Sequence, residues 1–319
     1  MVERRKIVLV GTGFVGMSMA YSILNQGGVN EMVLIDVVRE KAEGEAMDLS
    51  HGMPFSPSKM DIKAGDYSEC RDADIVVITA GLNQKPGQTR LELAKANAKI
   101  MKDITKQVIN NGFKGIFVVA SNPVDLMTYV VYKTSGFPRE RVIGSGTVLD
   151  TARLRFLIGE YLNVASKNVH AYIIGEHGDS SFVPWSHCYV GCKRLLDVMK
   201  EVGRDIKDLD KIYSNVQQAA YEIINKKKAT YYGIGISLTR LIKAILDDEN
   251  AIMPVSTYQE GEYRQKGLFI GVPAIINRKG IKDIVKLELE SKDQEKFDYS
   301  CEIITKTLLE EINPILEEN

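Results

Sequence analysis

The sequence predicts an α/β molecule: a doubly wound parallel sheet followed by an α+β half. Three observations carry that expectation. Short β-branched runs alternate with longer amphipathic stretches through the first half, the pattern of βαβ units. One run, Ile116-Phe117-Val118-Val119-Ala120, is apolar throughout, as a central parallel strand buried on both faces must be. The texture changes after about Thr147, where longer helical patterns replace the alternation.

Taken in order, the predicted strands of the first half are Lys6–Val10, Met32–Asp36, Ile75–Thr79, Gly115–Ala120 and Arg141–Gly144. Helical patterns fill the gaps, for example Phe14–Gln26 and Leu91–Asn110. In the second half, a helix is expected from Asp150 to Leu162 and a strand over Val169–Ile174. Helices follow around Ile206–Asn225 and Ile234–Leu246. Two strand-like segments, Ile252–Tyr258 and Leu268–Val272, flank a Gly- and charge-rich turn, and Gln294–Glu317 reads as helix. No repeat or low-complexity linker interrupts the chain, so two closely packed domains, 1–146 and 147–319, are expected with a cleft between them.

Composition narrows the function. The 319 residues hold 45% hydrophobic and 26% charged side chains, enough for a core without staples. Lys+Arg (41) nearly balances Asp+Glu (42), which argues against a general nucleic-acid partner. Cys70, Cys188, Cys192 and Cys301 form no C-x-x-C pair, disulfide framework or metal cluster, so a reducing compartment is expected and no metal. The apolar run after Lys6 is too short for a signal-peptide core, and no stretch has the length of a membrane span. A cytoplasmic location is the expectation, with no membrane partner.

Gly11-Thr12-Gly13-Phe14-Val15-Gly16 lies between a predicted strand and a predicted helix. That context turns a weak G-x-G-x-x-G match into a Rossmann-type dinucleotide fingerprint. Gly11 permits the tight turn, Gly13 admits a pyrophosphate to the backbone, and Gly16 lets helix and strand pack closely. The helix N-terminus offers free N–H donors to phosphate. Asp36, 20 residues beyond Gly16, would accept from ribose hydroxyls and repel a 2′-phosphate, favouring NAD; Arg39 offsets part of that repulsion. Thr79-Ala80-Gly81 and Ala120-Ser121-Asn122-Pro123 follow apolar strands, where small residues let a nicotinamide ring approach.

Four segments carry candidate chemistry. Gly81–Arg90 is a polar Gly/Pro loop that can act as a lid, with Arg90 near its hinge. Asp150 and Arg153 are i,i+3 on one helical face, whereas Arg155 points about 200° away from Arg153. His177, flanked by Gly175 and Gly178, is better placed to titrate than to pack. Thr230 precedes a Gly-rich helix start.

With Gly11–Gly16, Asn83–Leu91, Ser121–Asp125, Asp150–Arg153 and Gly175–Asp179 in this order, the chain resembles the lactate/malate dehydrogenase family, and within it the bacterial-type L-lactate dehydrogenases. The resemblance runs from Lys6 to near the C-terminus. It implies that His177 gives and takes the proton, that Asp150 orients its imidazole, and that Arg153 forks the substrate carboxylate. It implies that Arg90 polarises the ketone, with Asn122, Asp125 and Thr230 completing the pocket. Gln84 stands where malate dehydrogenases carry Arg; a neutral amide there disfavours a second carboxylate, so pyruvate is favoured over oxaloacetate. By the same resemblance NAD contacts come from Gly11, Gly13, Val15, Gly16, Asp36, Lys41, Tyr67, Ala80, Gly81, Ala120, Ser121, Asn122 and Ser145. Arg155 and His170 match the positions that bind fructose 1,6-bisphosphate between subunits of allosteric homotetramers. His170 and His177 are roughly 20 Å apart if the chain between them is extended. A malate or other 2-hydroxy-acid dehydrogenase, or a non-catalytic dinucleotide sensor, are the competing readings; the sensor would not need His177, Asp150, Arg153 and Arg90 together.

Overall fold

The computed structural model describes residues 5–82 and 90–318. The first half runs β1 (Lys6–Val10), α1 (Phe14–Gln26), β2 (Glu31–Ile35), α2 (Arg39–His51), β3 (Asp61–Ala64), β4 (Ile75–Ile78), α3 (Arg90–Asn110), β5 (Ile116–Val119), α4 (Val124–Ser135) and β6 (Val142–Gly144). The second half runs α5 (Val148–Leu162), β7 (Val169–His170), β8 (Tyr189–Val190), β9 (Lys193–Arg194), α6 (Leu195–Glu201), α7 (Asp208–Lys227) and α8 (Tyr232–Leu246). It ends with β10 (Ala251–Glu260), β11 (Lys266–Asn277), β12 (Gly280–Ile284), α9 (Ser291–Thr307), a π turn and α10 (Asn313–Glu317).

Strands β3-β2-β1-β4-β5-β6 lie side by side and parallel, so the order reverses between β1 and β4. A doubly wound sheet binds ligand at the carboxyl ends of its strands beside such a reversal. Residues of β1, β4 and β5 are buried on both faces, which is why they read as unbroken apolar runs. Each fully buried Val, Leu or Ile there contributes about 1.5–3 kcal/mol. The alternation implied α2 and α4 without bounding them; β3, with only Ile62 buried, and β12 carry too little apolar signal to be read.

Two outcomes differ from expectation. The predicted strand Val169–Ile174 forms a ladder only over Val169–His170. Ala171, Ile173 and Ile174 are apolar because they are buried in the interior, not because they pair continuously. The hairpin β10–β11 is longer than read from sequence, and it does not stand apart. Ser256 of β10 pairs with Gly144 of β6, so the hairpin and β12 extend the parallel sheet to nine strands. The main core accordingly draws on both halves, from Ile7 to Ile315, while a smaller cluster around Leu154, Ile158 and Met199 sits under α5 to α7.

Candidate active site

Helix α5 delivers Asp150 in its first turn, beside the helix N-terminus where a carboxylate is favoured. One carboxylate oxygen meets His177 Nδ1 at 2.7 Å and the other accepts from Arg153 at 3.0 Å. The three groups predicted to work together are thus joined through a single carboxylate. His177 remains 28% exposed, and among the described residues none hydrogen-bonds its Nε2. That nitrogen is the one able to face a substrate.

The His177 loop is fastened at three consecutive amides. Gly175 N–H donates to Gly271 O of β11 at 2.9 Å, Glu176 N–H to Ser300 Oγ of α9 at 2.7 Å, and His177 N–H to Asp125 Oδ2 of α4 at 2.8 Å. Four residues upstream, Ile173 is gripped by α5 and the residue before it: Thr147 donates to its carbonyl at 2.6 Å, and its N–H donates to Thr151 at 2.9 Å. Helix and loop are therefore registered against each other before the Asp150–His177 bond is counted. Gly271 makes this approach feasible, since a Cβ there would stand 2.8 Å from Gly175 O.

Electrostatics follow from the geometry. Burial disfavours the imidazolium of His177, yet the Asp150 carboxylate, with help from Asp125, more than reverses this and raises the pKa to about 9. Burial likewise opposes ionisation of Asp150, but the His177 and Arg153 cations hold it below its ordinary value. Burial pushes Asp125 up to about 6, partly countered by the Ser256 hydroxyl and the His177 N–H.

Asp125, expected at the substrate pocket, lies directly behind the His177 backbone. It is 3% exposed, and both oxygens are engaged, one by Ser256 and one by the His177 N–H. Asn122 is exposed at the end of β5, and its carbonyl accepts from the buried Asn97 at 2.8 Å; Asn97 also accepts the Leu82 N–H. Thr230 is half-buried just before Tyr231, whose ring stacks 5.1 Å from Phe14 at the start of α1. Among the described residues no hydrogen bond joins Asn122 or Thr230 to the Asp150–His177–Arg153 group. Gln84 lies outside the described residues, and so does the side chain of Arg90, whose backbone opens α3.

The predicted cofactor residues cluster at the carboxyl ends of the parallel strands. Gly11, Gly13, Val15 and Gly16 follow β1; Asp36 and Lys41 follow β2; Tyr67 follows β3. Ala80 and Gly81 follow β4, Ala120, Ser121 and Asn122 follow β5, and Ser145 follows β6. Arg155 and His170 lie apart from this group. Arg155 donates to Ala171 O at 3.1 Å and stacks over Tyr172, while exposed His170 pairs with Tyr189.

Two family descriptions match the chain: lactate/malate dehydrogenase, NAD binding domain, over residues 5–144, and lactate/malate dehydrogenase, alpha/beta C-terminal domain, over 147–319. The chain belongs to the lactate/malate dehydrogenase family. Within that family it is 54% identical to L-lactate dehydrogenase 2 of Bacillus anthracis, over 95% of this chain and 97% of the relative. Its fold matches a lactate dehydrogenase from a Medee basin deep-sea metagenome library, with TM-score 0.94 and 53% identity over 96% and 98% of the two chains. A minor L-lactate dehydrogenase from Enterococcus mundtii in ligand-bound form gives TM-score 0.94 and 50% identity over the same shares.

NAD is the cofactor of this family's first domain, and the residues present fit it. A Cβ on Gly16 would lie 2.3 Å from Gly11 O, so this glycine serves packing. A Cβ on Gly13 would meet no protein atom within 4 Å, so the space beside this glycine is open to a ligand. The α1 N-terminus beside it has no side-chain cap, which leaves its amides to a pyrophosphate. Asp36 is held ready by Thr12 N–H and Oγ, both 2.8 Å away, and by Val38 N–H. Burial opposes its charge, but these bonds and Lys41 lower its pKa overall.

Thr12, Thr147, Thr151, Ser256 and Ser300 escape the sequence reading, although each positions a site residue. Their shared signal is a hydroxyl on an otherwise buried face: all are at most 3% exposed.

Proposed function

We propose that the chain is an NAD-dependent L-lactate dehydrogenase that reduces pyruvate to L-lactate and runs the reverse reaction. The observation that carries this is the single Asp150 carboxylate joining His177 to Arg153, a proton donor beside a carboxylate fork. On this reading residues 1–146 hold the cofactor and 147–319 supply the acid–base group. NAD, held by the Gly11–Gly16 turn and Asp36, supplies the hydride donor and acceptor. Arg153 binds the pyruvate carboxylate, and the ketone oxygen sits against His177 Nε2. As the carbonyl carbon gains its hydride, the oxygen takes the Nε2 proton and His177 becomes neutral. Arg90 stabilises the developing charge on that oxygen, and Asn122 and Thr230 line the pocket. Asp125 acts by holding the His177 backbone.

Pyruvate is the preferred substrate because Gln84 offers no cation to a second carboxylate, which would cost several kcal/mol unpaired in a dry pocket. The name L-lactate dehydrogenase carried by the 54%-identical relative supports the same choice. Arg155 and His170 form the effector site for fructose 1,6-bisphosphate at the interface of a cytoplasmic homotetramer; their separation from the catalytic group supports that role. The test is NADH consumption with pyruvate and with oxaloacetate, for the wild type and Gln84→Arg. Pyruvate should be preferred by the wild type, with the kcat/KM ratio moving toward oxaloacetate in the variant. An unmoved ratio removes Gln84 as discriminator, and no pyruvate turnover removes the activity.

A further inference from the structure

The opposite edge of the sheet holds a second feature. A depression of about 320 Å³ opens at the amino ends of β4, β5 and β6. Five cations border it: Arg71, Lys114, Arg141, Arg278 and Lys279. Two carboxylates share its wall, and Lys6 engages both: Asp72 is ion-paired to Lys6 Nζ at 2.6 Å, and Asp74 accepts the Lys6 N–H at 2.8 Å. The whole chain carries a net charge of −1, so this positive excess is local.

Among the described residues, no carboxylate pairs with Arg71, Lys114, Arg141 or Lys279. Like charges gathered without partners repel, and a bound anion relieves that repulsion. The Arg141 guanidinium is already fixed, donating to Lys114 O at 2.6 Å and lying 4.7 Å from the Phe137 ring centroid. Further donors on the same fork stay available, and a planar fork matches phosphate oxygens. The floor is formed by buried Ala73, Ile116, Ile245 and Leu246, which strengthens charge interactions above it. The volume lies at the low end for ligand pockets, which favours a compact, highly charged guest.

We propose that this depression binds a compact polyphosphate anion through Arg71, Lys114, Arg141 and Lys279. The first three cations come from the first half and Lys279 from the β11–β12 turn, so the anion would bridge the two halves.

Inorganic tripolyphosphate is the probe, titrated calorimetrically into the full-length protein with NADH saturating, so that the cofactor's pyrophosphate cradle is filled. One site per chain is expected, weakened about tenfold or more in Arg71→Glu/Lys279→Glu and less in Lys114→Gln/Lys279→Gln, with pyruvate turnover unchanged. The milder pair decides the question if the charge-reversed pair does not fold. An Arg155→Ala variant should bind as the wild type does. Heat no greater than that of sodium chloride at equal ionic strength overturns the proposal, as do unchanged affinity in the variants and loss of binding in Arg155→Ala alone.

Discussion

His177 is pulled in two directions: burial favours its neutral form, and Asp150 favours the charged one. Asp150 wins, which keeps the proton available at neutral pH. Because the folded pKa is raised, this histidine contributes stability that is fully present below 6.5 and lost as pH rises through about 9. On the proposed mechanism the same titration governs turnover. If His177 is the proton donor proposed above, pyruvate reduction needs the imidazolium, so kcat/KM should fall as pH rises through about 9, while lactate oxidation should rise. Asp150→Asn removes the largest raising influence. The alkaline limb of pyruvate reduction should then move down toward 6.5, measurable as kcat/KM against pH. A limb that stays in place would show that Asp150 does not set the proton affinity of His177.

Catalytic geometry at the level of elements depends on four pieces of backbone meeting at one loop: α4, α5, β11 and α9 each hold a residue within 173–177. Gly271 is where this arrangement has least slack. Gly271→Ala would drive a Cβ against Gly175 O, and the loop must shift. A misplacement of about 1 Å costs on the order of 10²-fold in rate. Steady-state assays should therefore show kcat reduced to that degree with NADH affinity kept, since the Gly11–Gly16 turn lies on another element. Full activity would mean that the loop is not held through β11.

These clamps also mark the limit of what can be read without coordinates. The span Phe14–Gln26, the acid at Asp36 and the Asp150–Arg153 pairing follow from local spacing, and all three are legible. The bonds from Asp125, Ser300 and Ser256 cross 52, 124 and 131 residues, and no local pattern encodes which distant hydroxyl meets which amide. The burial of Asp125 is illegible for that reason: its motif gives its neighbourhood, but Ser256 of β10, which caps it, is 131 residues away. The ladder expected over Val169–Ile174 fails similarly, because burial and strand pairing leave the same apolar trace in a sequence.

At the scale of the whole molecule, the nine-stranded sheet and shared core make the two halves one mechanical unit. Trp185, the single tryptophan, packs against the smaller cluster of the second half and reports on it alone. NADH bound to the first half at 100 times its Kd should stabilise the fold by about 2.7 kcal/mol. If the halves unfold together, the denaturation midpoint from Trp185 fluorescence should shift with NADH as far as the midpoint from far-UV circular dichroism. A fluorescence midpoint indifferent to NADH would separate them.

All of this architecture converges on one imidazole held by a buried carboxylate, the proposed proton donor. The direct measurement is single-turnover NADH oxidation by pyruvate in His177→Asn, alongside NADH affinity in the same variant. The rate should fall by orders of magnitude while NADH binds as in the wild type. A rate within a few-fold of the wild type would contradict the assignment of His177 as the proton donor.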